Sequence, residues 1–120
     1  MSPAEQAKFV VTELDSGVAP SASAVALLEK SDYILVVRYL PKPWLWVIQR
    51  LASSGATLTF LMDDDLLDPQ SHKGLPDAYQ CRLRERITNQ SRFIPRLFSR
   101  VWVTSAYLKH KYSHLQPHLL

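Results

Sequence analysis

The chain has 120 residues, of which 47% are hydrophobic and 21% are charged. These proportions are average for globular domains and exclude a disordered tail, a collagen and a coiled coil. The single cysteine, Cys81, excludes an intrachain disulfide. No stretch has the roughly 18 uncharged apolar residues of a membrane span, and the start lacks the basic-then-apolar order of a signal peptide. The sequence therefore predicts one cytoplasmic domain.

The net charge of +3 is unevenly divided along the chain. Residues 1–68 contain five Lys/Arg and nine Asp/Glu, giving −4, whereas residues 69–120 contain nine and two, giving +7. Such asymmetry indicates a phosphate-bearing or polyanionic partner. A solvated basic helix face explains it equally well. No nucleic-acid-binding module is recognisable, so no nucleic-acid partner is predicted.

Four short apolar runs, each ended by turn or cap residues, predict strands. The predicted strands are Phe9–Leu14, Tyr33–Val37, Thr57–Met62 and Val101–Val103. The second run is continuous and does not alternate with polar residues, which is typical of a strand buried on both faces of a parallel sheet.

Helices are predicted between these strands from capping residues, prolines and helical spacing. They are Ala24–Lys30 after a cap at Ser21 or Ser23, Pro43–Ser53 before Gly55, residues 78–90 after a cap at Asp77, a shorter helix from Ser91 to about Ser99, and Ala106–Tyr112 after Thr104 and Ser105. The alternation of strands and helices predicts an α/β fold: a three-layer, Rossmann-like domain with a mostly parallel sheet of about four strands and helices on both faces.

The carboxyl ends of the predicted strands carry the candidate substrate-binding residues, because ligands of open parallel sheets bind there. These residues are Arg38, Tyr39, Asp63, Asp64, Asp65, Thr104 and Ser105. The three adjacent aspartates repel one another, so something must offset their charge. Arg38, sugar hydroxyls, a hard divalent metal held by Asp63 and Asp65, or water around an Asx turn would each do so.

Basic residues of the second half form two pairs at a spacing of four, so each pair is predicted to share a helix face. The pairs are Arg82 with Arg86 and Arg92 with Arg96. Apolar residues from Phe93 to Phe98 interleave with the second pair. This segment either lies on an anionic membrane or packs its apolar side on the core. Cys81 is predicted to be a core residue, because no base is placed near it.

The stretch from Thr57 to Leu67 is a strand followed by Asp-Asp-Asp-Leu-Leu, and it resembles the acidic turn in the N-terminal domain of GT-B glycosyltransferases of the retaining, polysaccharide-building group. Two other segments resemble parts of the same domain. They are Val101–Val103 with the Thr-Ser-Ala-Tyr-Leu that follows, and Tyr33–Arg38. The resemblance covers roughly residues 31–115.

This resemblance implies transfer of a sugar from a nucleotide-sugar donor to a glycan or lipid-linked acceptor. It implies that residues 1–120 form the acceptor-side domain, and that a second domain, absent from this chain, holds the nucleotide sugar. The acidic turn then corresponds to Asp63–Asp65 and the strand-end hydroxyl to Thr104. It implies no metal or cofactor, assigns no catalytic residue to this chain, and implies that the chain is inactive alone.

Two alternatives stay open. An Asp-x-Asp after a strand is also similar to the metal motif of GT-A glycosyltransferases, in which Asp63 and Asp65 would hold a divalent ion against a diphosphate. A small flavodoxin-like domain could instead bind a protein or a phosphorylated ligand without catalysis. The basic residues also raise the hypothesis of peripheral contact with the inner face of a membrane.

Overall fold

The computed structural model describes residues 11–120. The helices and strands, in chain order, are α1 (Ala22–Glu29), β1 (Tyr33–Val37), α2 (Lys42–Ser53), β2 (Thr57–Met62), α3 (Asp77–Arg86), α4 (Ile94–Leu97), β3 (Arg100–Val103), α5 (Ala106–Lys111) and β4 (His118–Leu119). Short 3₁₀ turns lie at Pro69–His72, Thr88–Phe93 and Ser113–Leu115.

The strands form one parallel sheet in the order β1-β2-β3-β4. At its carboxyl end, Val37 lies opposite Leu61, and Trp102 lies between Leu61 and His118. The predicted α/β class is confirmed: residues 11–120 form a four-stranded all-parallel sheet with helices, consistent with a Rossmann-like three-layer fold. The carboxyl ends of β1, β2 and β3 therefore meet at one edge of the sheet.

Three of the predicted strands are confirmed as β1, β2 and β3. The predicted strand Phe9–Leu14 begins outside the described residues, and its described part, residues 11–14, is irregular and exposed. The fourth strand of the sheet is instead β4, which the sequence did not predict. β4 contains only two residues, too few for any periodicity, and it is held by pairing with β3 and by a hydrogen bond from the Leu120 amide to the Val103 carbonyl at 2.8 Å.

Helix ends follow the predicted caps in three places. The Ser21 hydroxyl accepts a hydrogen bond from the Ala24 amide at 3.1 Å, and the Ser105 hydroxyl accepts one from the Leu108 amide at 3.2 Å. Each satisfies an amide that the first turn leaves unpaired. Gly55 follows α2 with a φ of 87°, the left-handed geometry that glycine adopts without strain.

The predicted caps at Asp77 and Ser91 are wrong. Asp77 lies in the first turn of α3, whose N-cap is Pro76. The helix ends at Arg86, four residues earlier than predicted, because Ile87 leaves helical geometry and is fully buried. Ser91 lies inside the 3₁₀ turn Thr88–Phe93, so Arg92 and Arg96 do not share one α-helix.

The fully buried residues of β2 lie on one face of the strand. In β2, residues Leu58, Phe60 and Met62 are at most 1% exposed and alternate with exposed or half-buried positions. Burial on both faces was wrong for β1, in which Tyr33 is 77% and Leu35 57% exposed. The exposed residues alternate with Ile34 and Val36, which pack against the core, so β1 is buried on one face only.

The basic segment packs its apolar side on the core, as one of the two alternatives predicted. Ile94 and Phe98 are buried, and Phe93 and Leu97 are half-buried against the same cluster. The core placement predicted for Cys81 is wrong: the residue is exposed, and its thiol faces the Glu85 carboxylate at 3.7 Å. In α3 the core side is taken by Leu83, which turns Cys81 outward.

Within residues 11–120, none of the helices combines the length and the apolar character needed to cross a membrane.

Candidate functional site

The ends of β1 and β2 are joined beyond the last paired residues of the two strands. The Arg38 amide donates to the Leu61 carbonyl at 3.0 Å, so the ladder continues one residue past β1. Arg38 has a φ of 65° and is one of two non-glycine residues with positive φ in the described chain. Non-glycine residues pay a steric cost for this geometry, and such positions are concentrated at functional sites.

The Arg38 guanidinium forms a bidentate ion pair with Asp63, the first residue after β2. Its Nε lies 2.7 Å from Asp63 Oδ1, and a terminal nitrogen lies 2.5 Å from Oδ2. This two-point geometry matches the planar fork of arginine to the carboxylate. The hydrogen bonds and the positive charge of Arg38 hold the pKa of Asp63 below its ordinary value, although partial burial opposes the shift.

Asp64 has a different environment from its neighbours. One of its carboxylate oxygens accepts a hydrogen bond from the Asp65 amide at 2.8 Å, and the side chain is exposed. Among the described residues, no cation pairs with this carboxylate. Asp64 is therefore the member of the acidic run that retains acceptor capacity toward solvent or a ligand.

Asp65 turns away from the sheet edge and into a cluster built by α5. Its Oδ2 accepts from Lys111 Nζ at 2.5 Å and from the Tyr107 hydroxyl at 3.2 Å, while the Tyr112 hydroxyl donates to Oδ1. Lys111 also lies 2.9 Å from Asp68. These contacts hold the loop after β2 against the C-terminal end of α5.

The ionisation of this cluster follows from its contacts. Burial alone would raise the pKa of Asp65, but the hydrogen bonds from Lys111 and Tyr112 outweigh it and hold that pKa below its ordinary value. The Lys111 hydrogen bond likewise lowers the pKa of Asp68, and the two carboxylates raise the pKa of Lys111. Burial and the bond to Asp65 raise the pKa of the Tyr112 phenol. The cluster is therefore stable as an ion pair with a neutral tyrosine.

A cleft of about 360 Å³ opens at the carboxyl ends of β1 and β2. It is lined by Arg38, Tyr39, Asp63, Asp64, Leu66 and Tyr79. Its volume is at the lower end of the range for small-molecule sites. The lining residues combine two tyrosines and one leucine with three charged side chains.

A larger depression of about 550 Å³ lies at the opposite edge of the sheet. Its residues come from the segments that precede β1 and β2, and it contains an exposed ion pair of Arg50 and Glu29 at 3.3 Å. The carboxyl edge, where parallel sheets bind their ligands, is the better candidate despite its smaller volume.

Four of the seven predicted substrate-binding residues come together in the cleft: Arg38, Tyr39, Asp63 and Asp64. Asp65 belongs to the α5 cluster, and Thr104 and Ser105 are not among the described residues that line the cleft. The Ser105 hydroxyl is used as a helix cap. Asp63 pairs with Arg38, whereas Asp65 pairs with Lys111. Within residues 11–120, no group of three His, Cys, Asp or Glu side chains is placed to hold a metal ion.

The predicted basic residues divide between two places. The Arg86 guanidinium lies 5.8 Å from the centre of the Tyr39 ring, and that of Arg82 lies 5.6 Å from the centre of the Tyr79 ring. Both rings line the cleft. Arg92 stacks instead on Phe93 at 4.9 Å. The exposed Arg96 belongs to α4.

Sequence reasoning missed Tyr79 as a cleft residue and Lys111 and Tyr112 as partners of Asp65. A local signal existed for Tyr79, which precedes Arg82 by three residues in the predicted helix and so shares its side of that helix. Lys111 and Tyr112 lie 46 and 47 residues from Asp65, and no spacing rule spans such a separation.

The fold and the cleft define an α/β protein with a candidate ligand site at the carboxyl edge of its parallel sheet. Comparison with protein-family models, with curated proteins and with solved structures found no match to this chain.

Proposed function

We propose that this chain is the acceptor-side domain of a glycosyltransferase and that its cleft binds the hydroxyl groups of a sugar acceptor. The observation that carries the proposal is the Arg38–Asp63 pair beside the exposed carboxylate of Asp64, at the carboxyl edge of a parallel sheet. The resemblance of the acidic turn to GT-B glycosyltransferases supports the same reading.

The chemistry of the cleft suits a sugar. Hydroxyl groups donate to carboxylates and accept from guanidinium N–H groups, and Asp64 and the remaining N–H groups of Arg38 supply both. Because Arg38 already neutralises Asp63, Asp64 remains as the carboxylate that can accept hydrogen bonds from hydroxyls. It does so without the mutual repulsion of three unpaired carboxylates. The rings of Tyr39 and Tyr79 offer apolar faces to the C–H groups of a sugar ring.

In the proposed transfer, this chain holds and orients the acceptor. An acceptor hydroxyl would replace the nucleoside diphosphate at the anomeric carbon of the donor, and a second domain would hold the nucleotide sugar. No catalytic residue is assigned within the chain. Its contribution would be positioning, which lowers the barrier by fixing the reacting hydroxyl in place.

Isothermal titration of the 120-residue chain with neutral oligosaccharides, with and without Mn²⁺, tests the proposal. We expect saturable binding that does not require Mn²⁺ and is weakened about tenfold by Asp64→Asn, which removes one charged acceptor. Asp32→Asn is the matched control, since Asp32 is an exposed aspartate at the opposite edge of the sheet.

Three results would contradict the proposal. Binding of nucleotide sugars alone would place the donor on this chain. Mn²⁺-dependent binding lost with Asp63→Asn would indicate the GT-A alternative. Absence of any sugar binding would favour a non-catalytic flavodoxin-like module.

A further inference from the structure

Two arginines of α3 contact the tyrosines of the cleft. Arg82 and Arg86 are one helical turn apart, so they lie on the same side of the helix. Each guanidinium lies over a tyrosine that lines the cleft, at 5.6 Å for Arg82 over Tyr79 and 5.8 Å for Arg86 over Tyr39. Both arginines therefore flank the cleft through tyrosines that line it, although neither arginine is itself a lining residue.

The position of α3 beside the cleft is fixed by the backbone. The Leu40 amide, two residues after Arg38, donates to the Arg86 carbonyl at 2.6 Å. Leu83 and Ile87 on the inner side of this segment are buried in the core. The last turn of α3 is thus bound to the chain that leaves β1, and Tyr79 of the same helix lines the cleft.

The two guanidinium groups retain unused donors. Neither Arg82 nor Arg86 forms an ion pair among the residues that the structure describes. Stacking on a ring uses the face of the guanidinium and leaves its N–H groups free in the plane. The free N–H groups of a guanidinium fork match the oxygens of a phosphate group.

The charge of the cleft favours an anion beside the sugar hydroxyls. Asp63 is compensated by Arg38, so Asp64 is the remaining negative charge against Arg82 and Arg86. Asp64 lines the cleft, whereas the two arginines contact the tyrosines beside it. A ligand with hydroxyls at one end and a phosphate at the other would meet partners of the correct type at both ends.

We infer that the ligand of this cleft is a phosphorylated sugar, its phosphate bound by Arg82 and Arg86 and its hydroxyls by Asp64. The inference rests on the proposed function for the sugar end and adds the anionic group. The phosphate can belong to a soluble sugar phosphate or to a lipid-linked sugar at a membrane surface, since both present the same oxygens.

The test compares α-D-glucose 1-phosphate, glucose and inorganic phosphate as probes in calorimetric titrations of the 120-residue chain. We expect glucose 1-phosphate to bind more tightly than either of the others. The double variant Arg82→Ala/Arg86→Ala should weaken it about tenfold or more, whereas Arg84→Ala should change it less than about twofold. Arg84 is the matched control because it is exposed on the same helix and contacts neither tyrosine.

Vesicles distinguish the two sources of phosphate. Phosphatidylcholine vesicles with and without phosphatidylglycerol are sedimented with the chain and its variants. Competition between anionic vesicles and glucose 1-phosphate, lost in the double variant and kept in Arg84→Ala, would indicate a lipid headgroup. Glucose 1-phosphate binding without vesicle binding would indicate a soluble ligand.

Equal loss in the double variant and in Arg84→Ala would overturn the inference, because it would show a diffuse basic surface. Equal affinity for glucose and glucose 1-phosphate would also overturn it while leaving the proposed function intact. If Arg-dependent phosphate binding is unaffected by Asp64→Asn and no neutral oligosaccharide binds, the phosphate contact survives and the sugar-acceptor function fails.

Discussion

Arg38 and Asp63 are 25 residues apart in sequence, yet their side chains meet through two hydrogen bonds at the ends of neighbouring parallel strands. The contact depends on β1 and β2 being adjacent and in register, with Val37 opposite Leu61. It also depends on the positive φ of Arg38, which turns the chain immediately after the last paired residue. The ion pair therefore forms only when the strands are in this register and the chain turns at Arg38 to shape the cleft.

Backbone strain at Arg38 can be separated from its ion pair. Arg38→Gly and Arg38→Ala both remove the guanidinium, but only alanine must hold a side chain at a φ near 65°. We expect the glycine variant to unfold about 4 °C above the alanine variant in thermal melts followed by circular dichroism. Equal midpoints would show that the position relaxes to negative φ when the pair is lost.

The two neighbouring aspartates should differ sharply in their effect on stability. Asp65→Asn weakens a partly buried acceptor for the Tyr112 hydroxyl and should lower the free energy of unfolding by about 1–3 kcal/mol. Asp64→Asn alters an exposed side chain and should change it by less than about 0.5 kcal/mol. Urea unfolding of both variants measures the difference, and a larger loss for Asp64→Asn would contradict the assignment.

Acid should destabilise the fold through the carboxylates held by cations. The pKa values of Asp63, Asp65 and Asp68 are lower in the folded chain than their ordinary values, so unfolding at low pH is accompanied by proton uptake. Their contribution is complete above about pH 5 and is lost as pH falls from about 4 through the folded values.

Urea midpoints measured across that range check this pH dependence. The acid-induced loss should be smaller in Asp65→Asn, which lacks one of the titrating groups. An unchanged profile in that variant would show that Asp65 does not contribute to it. Asp64→Asn serves as the control, since no cation among the described residues pairs with Asp64.

Ser105 and Thr104 offer a test of the helix cap. The Ser105 hydroxyl accepts from the Leu108 amide, so Ser105→Ala leaves that amide without its partner and should cost about 1 kcal/mol. Thr104→Ala, at the exposed neighbouring position, should cost less than about 0.5 kcal/mol. The free energy of unfolding in urea compares the pair. Equal losses of stability in the two variants would show that the Ser105 hydroxyl stabilises the fold no more than the surface hydroxyl of Thr104.

Cys81 should react in the folded protein, because its thiol is exposed on α3. We expect the Ellman reagent to modify native Cys81 at a rate within about tenfold of that for the urea-unfolded chain, as accessibility is a main control on thiol reactivity. Strong protection of the thiol in the native state, lost only on unfolding, would indicate that Cys81 lies in the core.

Local patterns were sufficient for the elements that hold the cleft. The apolar runs of β1 and β2, the caps at Ser21 and Ser105 and the glycine after α2 each express a preference of a few adjacent residues. The placement of Arg38, Tyr39, Asp63 and Asp64 at one edge followed from strand direction alone. The predicted cap at Asp77 was wrong because Pro76 occupies the N-cap position. The strand β4 was not predicted because its two residues are too few to show an alternating pattern.

By itself the sequence determined the α/β class, the parallel direction of the strands and the acidic and basic residues available at their carboxyl edge. Only the tertiary structure decided how the three aspartates are used. Asp63 pairs with Arg38, Asp64 faces solvent, and Asp65 joins Lys111 and Tyr112. Identical side chains have identical local preferences, so their partners are chosen by which distant strand or helix packs beside each one.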